Sequence, residues 1–157
     1  MKKFAILFLS LSFLIGCGDK KEKDQDQVAV PYENTEGQGP ESYDPKRGEG
    51  PYDKVDLDPT LNHALADKGE AASGVKCLSC HKTTDERLVG PGWAGVTERR
   101  TPQWIMNFIT NPDPMIDKDP EVQAQLELCL VRMPNQNLAD EEARAILEYM
   151  RELDGVK

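Results

Sequence analysis

Cys77-Leu78-Ser79-Cys80-His81 is the stretch whose reading decides the fold of this 157-residue chain. Two thiols three positions apart, followed at once by an imidazole, can be gathered on one side of a single tight turn. A Cys-x-x-Cys pair admits three readings: a redox dithiol, half of a zinc site, or the attachment point of a c-type haem. A redox dithiol expects a strand–helix setting of the α/β kind, and no such setting is legible around residue 77. A zinc site needs two further Cys or His ligands, and only Cys129 and His63 remain. The haem reading uses both cysteines and the histidine: Cys77 and Cys80 add across the two vinyl groups of one haem, and His81 supplies the proximal nitrogen to its iron.

The flanking sequence reads as helices joined by loops. A run begins at Pro59 and continues to about Ser73, with Leu61, Leu65 and Ala72 as its apolar positions. Thr101 is a good N-cap with Pro102 at the first helical position. Trp104, Ile105, Phe108 and Ile109 then form an apolar stripe at helical spacing. Asp119-Pro120 repeats the start signal, and Val122, Leu126, Cys129 and Leu130 share one face. A last helix is expected from about Asp140 to Asp154, burying Ala143, Ile146, Leu147, Met150 and Leu153, with Gly155 as its stop. No stretch alternates like a strand. The expected domain, residues 59–157, is all-α with about four helices.

From Leu61 to Leu153 the chain resembles the class I cytochrome c family, whose fold wraps such helices around one covalently bound haem. Gly69, eight residues before Cys77, matches a glycine at which that family's first helix crosses its last. Ser73 stands where many members place an aromatic, while Tyr149 matches the aromatic of the last helix. Val89-Gly90-Pro91-Gly92-Trp93-Ala94-Gly95-Val96 is similar to the family's Gly-Pro-x-Leu-x-Gly-Val loop. The resemblance implies that the Pro91 carbonyl accepts a hydrogen bond from the second nitrogen of His81 and so orients it.

A carrier haem needs a sixth ligand, and Met/His ligation is the cytochrome c pattern. The candidates are Met106, Met115, Met133, Met150 and His63. Met150 belongs to the stripe of the last helix, Met106 lies inside a helix off its apolar face, and His63 is a solvated residue early in the first helix. Met115 sits in the proline-rich stretch Asn111-Pro112-Asp113-Pro114-Met115, which reads as a loop. Met133 is followed by Pro134 just ahead of the last helix, as the family's axial methionine is, and is the expected ligand. Trp104 is assigned a hydrogen bond to a haem propionate, and Arg99, in preference to Arg100, an ion pair with one. Trp93 fits the haem crevice and the core equally well. Cys129 is expected to be a buried small hydrophobe.

The N-terminus is an address. Met1-Lys2-Lys3, an apolar run from Phe4 to Ile15, and Gly16-Cys17 make a secretory signal over residues 1–16. The run is shorter than the ~20 apolar residues a membrane-spanning helix needs. Leu14-Ile15-Gly16-Cys17 resembles the bacterial lipobox, which implies lipidation of Cys17 and a membrane-anchored protein outside the cytoplasm, on the periplasmic side. Residues 17–58 are charged, then rich in Gly and Pro, and read as a flexible tether. Pro31-Tyr32-Glu33 and Pro51-Tyr52-Asp53 look alike without forming a repeat, and their tyrosines are expected to stay off the domain.

The formal charge of −9 becomes −11 once Lys2 and Lys3 leave with the signal. Such a charge opposes nucleic-acid binding. A single six-coordinate haem has no open site for substrate chemistry, so the expected function is one-electron transfer and not catalysis. The expected partners are redox proteins: a quinol-oxidising complex as donor and a terminal reductase or oxidase as acceptor. The stretch from Asn111 to Leu138 resembles small cytochromes found with nitrous-oxide reductase systems. A peroxidase-like or gas-binding haem protein is the alternative, and the short domain shows no distal His or Arg pattern for it.

Overall fold

The computed structural model describes residues 43–157. The expected signal peptide, Cys17 and the tether as far as residue 42 lie outside the described residues. Six helices follow in order: α1 (His63–Lys76), α2 (Val96–Arg99), α3 (Pro102–Thr110), α4 (Pro112–Lys118), α5 (Pro120–Cys129) and α6 (Asp140–Leu153). No strand occurs among the described residues, so the fold is all-α as expected.

The helix starts follow the capping chemistry. Thr101 accepts the Trp104 N–H at 3.2 Å ahead of α3, and Asp119 accepts the N–H groups of Glu121 and Val122 ahead of α5. α1 begins at His63 and not at Pro59, because the Asn62 side chain takes the Leu65 N–H and fixes the first turn there. The expected loop around Met115 is instead helix α4. Pro112 occupies its first position and Pro114 its first turn, where the missing N–H groups have no intrahelical partner to lose.

The core is an apolar cluster of Trp93, Trp104, Ile105, Ile109, Met115, Ile116 and the inner face of α6 (Ala143, Ile146, Leu147, Met150). Met106 joins it, buried rather than off the apolar face. α1 and α6 cross at Gly69: a Cβ there would overlap the Ala145 carbonyl and come within 2.9 Å of the Tyr149 Cβ. Ser73, one turn further on, is also buried, so small residues let the two backbones meet.

Residues 43–58, read from sequence as the end of a tether, are held against the helices. Asn107 of α3 is fully buried; its Oδ1 accepts the Tyr52 N–H at 2.9 Å and its Nδ2 donates to the carbonyls of Arg47 and Tyr52. Tyr43 Oη donates to Asp119 at 2.5 Å, and Tyr52 Oη to Asp140 at 2.6 Å. Tyr52 therefore docks on the domain, contrary to expectation. Burial, reinforced by its bond to Asp140, raises the Tyr52 phenol to about 12. Gly48 adopts φ 75° and lies over Met115, where a Cβ would stand 2.9 Å from Sδ.

The crossing at Gly69 predicts opposite effects of one substitution along α1. Gly69→Ala forces a methyl into the Ala145 carbonyl and should lower unfolding free energy by about 2 kcal/mol. Gly74→Ala meets nothing within 4 Å and should raise it by about 0.5 kcal/mol through helix propensity and a stiffer unfolded chain. Denaturant titrations followed by circular dichroism compare the two; equal effects would contradict the close crossing.

Candidate haem site

α1 delivers the site from its C-terminal end. The Ser73 carbonyl accepts the N–H groups of Cys77 and Leu78, and the Cys77 carbonyl accepts those of Cys80 and His81, both at 3.0 Å. This tight turn sets Cys77, Cys80 and His81 together. The two thiols are free and half-buried. Burial pushes the Cys77 thiol up, so it stands protonated rather than as a thiolate.

The following loop closes on the turn. The Cys80 carbonyl accepts from Val89 and Gly90, and Trp93 N–H donates to Lys82 at 2.9 Å. His81 Nδ1 lies 2.8 Å from the Pro91 carbonyl. A carbonyl can only accept, so this nitrogen carries the proton and Nε2 presents its lone pair. Burial lowers the His81 pKa, with the Pro91 bond opposing, and the ring is neutral as metal ligation requires. Trp93 is buried with its ring centroid 5.8 Å from that of His81. Gly90 packs on the imidazole itself: an added Cβ would lie 2.8 Å from Nδ1 and 2.9 Å from Nε2. Beyond the loop, Asp154 accepts Gly95 N–H at 2.5 Å, Thr97 N–H at 2.8 Å and Thr97 Oγ1 at 2.6 Å.

These residues fit a covalently attached haem: two unpaired thiols, a neutral oriented imidazole, and an adjoining apolar wall that includes Trp93. They do not fit zinc. Among the described residues no group of three or more His, Cys, Asp or Glu comes together. His63 is exposed against Glu152, and Cys129 accepts from Arg87 Nη1 at 2.9 Å. Cys129 is thus half-buried beside an arginine, not sealed in the core as expected.

The methionines separate clearly. Met115, Met106 and Met150 are buried in the core, Met115 without any exposed surface. Met133 lies half-buried in the loop between α5 and α6, against the core cluster. Trp104 does not have the expected free N–H: its Nε1 donates to buried Asp119 at 2.9 Å, while its ring stacks on Phe108 and under the Arg100 guanidinium. Arg100 is also paired with Glu121, and Arg99 Nη1 donates to the Ala94 carbonyl. Sequence reasoning missed Asp119 and Asp154 as tertiary acceptors. Asp119-Pro120 carries a visible signal, but it points only to a helix cap.

The fold and this site define a haem-binding c-type cytochrome domain. The cytochrome c family model matches residues 66–154, and the chain belongs to that family. A cytochrome c-553-like protein from Synechocystis sp. is 30% identical over 81 residues, covering 46% of this chain and 77% of the relative. Cytochrome c from Rhodothermus marinus aligns at TM-score 0.64 with 39% identity, over 67% of this chain and 90% of that structure. An engineered form of the Rhodothermus protein aligns at TM-score 0.64 with 38% identity and the same coverage. The family carries one covalently bound haem c, and this chain is an electron-transfer protein rather than an enzyme.

The packing of Gly90 on His81 generates a test. Gly90→Ala should turn the imidazole and break its bond to Pro91, lowering the haem-loaded fraction of the purified protein severalfold. Gly74→Ala, whose Cβ would meet nothing, should leave loading unchanged. The ratio of Soret to protein absorbance reports both.

Proposed function

We propose that the chain is a His81/Met133-ligated carrier that takes one electron at a time from a quinol-oxidising complex and passes it to a terminal reductase or oxidase. When bound, the haem supplies the ferric/ferrous couple. His81 Nε2 serves as the proximal ligand, held by Pro91. The observation that carries the choice of Met133 is the contrast between the two leading methionines. The Met115 thioether is sealed within α4 beneath Gly48, so it would reach a haem iron only by unpacking the core. Met133 stands in a half-buried loop, with Pro134 restricting the backbone after it. Arg99 retains guanidinium donors for a propionate, the role that Trp104 gives up to Asp119.

Lipidation of Cys17 would hold this carrier at a membrane surface outside the cytoplasm, where several acyl chains give a stable anchor. The resemblance of residues 111–138 to cytochromes of nitrous-oxide reduction makes that reductase the first acceptor to assay.

Met133→Ala should abolish the weak far-red absorption of thioether-bound ferric haem, lower the midpoint potential and admit carbon monoxide to the ferrous protein. Met115→Ala should keep the band and instead lose about 3 kcal/mol of stability as a core cavity. The reverse pattern assigns the ligand to Met115. For the anchor, Cys17→Ser should shift the protein from membrane to soluble fractions with haem content intact; continued membrane retention would contradict acylation at that residue.

A further inference from the structure

The loop that carries Met133 is held without a backbone ladder. Among the described residues, none from Val131 to Leu138 takes part in a backbone–backbone hydrogen bond. The loop leaves α5 through Leu130 in the left-handed conformation (φ 57°), and Asn137 adopts φ 50°. Asn137 N–H donates to the Asn135 side chain at 2.8 Å and Gln136 Nε2 to the Pro134 carbonyl, ties that stay within the loop. Arg132, adjacent to Met133, reaches outward to the body of the protein. Its Nε donates to Asp113 Oδ1 at 3.0 Å, and its Nη2 to Asp117 Oδ1 at 2.9 Å and to the Asp113 carbonyl at 3.3 Å. Asp113 and Asp117 lie one turn apart on the outer side of α4, whose inner side buries Met115 and Ile116. The planar guanidinium fork spans two such carboxylates, which an ammonium cannot do in the same geometry.

The geometry points to Arg132 as the positioning residue for the distal ligand: its bridge to Asp113 and Asp117 clamps the Met133 loop onto the rigid α4. This inference rests on Met133 as the sixth ligand. α4 is itself secured by its buried core face, by Glu49–Lys118 at 3.0 Å, and by Asp119 at its end. The bridge is exposed, so its loss should barely alter global stability. It should instead change how often the thioether leaves the iron, because the loop has no backbone ladder to restrain it.

The test is the rate at which imidazole, a neutral competitor, displaces the thioether from the ferric holoprotein, followed by loss of the far-red band. Arg132→Gln should accelerate displacement about fivefold, in keeping with two exposed ion pairs. Asp113→Asn combined with Asp117→Asn should give the same acceleration, and all three changes together no more, since they remove one shared interaction. Arg132→Lys should fall between wild type and Arg132→Gln. The denaturant midpoint should hold nearly constant throughout. Acceleration below twofold, multiplying effects in the triple variant, or a proportionate fall in the denaturant midpoint would overturn the clamp while leaving Met133 as ligand. A band that survives Met133→Ala would overturn the ligand assignment and the clamp with it.

Discussion

The crossing of α1 and α6 at Gly69 sets the geometry on which the haem site depends. Because no side chain separates the helices there, the position of Cys77 two turns along α1 is fixed relative to Tyr149 and Leu153 on α6. The same α6 is capped by Asp154, whose carboxylate collects the N–H groups of Gly95 and Thr97 and the Thr97 hydroxyl. One helix pair therefore positions both the thiol turn and the far end of the loop that bears Pro91. A larger residue at 69 would displace the two together. A redox carrier benefits from such a frame, since ligand orientation tunes its potential.

The two sides of the site are built by different means. On the His81 side, backbone groups bind backbone groups: Cys80 accepts from Val89 and Gly90, Lys82 from Trp93, and Pro91 from the imidazole. Gly90 and Gly92 let these strands of chain approach so closely that any Cβ would collide with His81 or with Thr84 and Asp85. On the Met133 side, side chains do the holding. Backbone networks of the first kind are cooperative and stiff, while exposed ion pairs of the second kind are individually weak and open readily. Motion at the site should accordingly concentrate on the Met133 side.

Much of this was legible in the sequence because it rests on local chemistry. Cys77, Cys80 and His81 announce themselves by spacing, Pro91 by the resemblance of its loop to the family's, and the caps at Thr101 and Asp119 by residue type next to proline. The α6 stripe has a clean helical period. The errors arose where tertiary context chose among locally permitted states. Asn111 to Met115 carries two prolines and reads as a loop, yet both prolines fall in the first turn of α4. Trp104 reads as a donor to a haem propionate, yet its N–H goes to Asp119, fifteen residues away. Cys129 has helical spacing with Val122 and Leu126, but α5 buries only Val122 fully, so the thiol meets Arg87 at the surface.

The segment from Tyr43 to Asp58 shows why composition misleads. Its glycines, prolines and charges bury little, and by that measure it should not order itself. Its order comes from groups on the helices it covers. Asn107 presents an acceptor to Tyr52 N–H and a donor to the carbonyls of Arg47 and Tyr52, the same pairing a neighbouring strand would offer. Two of those contacts end on backbone atoms of Tyr52 and one on that of Arg47, so they leave no mark on which side chains the segment carries. Only Tyr43 and Tyr52 add side-chain hydroxyl bonds, to carboxylates that also serve α5 and α6. Asn107 is fully buried and would be costly to leave unpaired. The covering segment and the asparagine thus satisfy each other, and the polar demand of one helix residue ties the chain from Arg47 to Tyr52 to the folded domain.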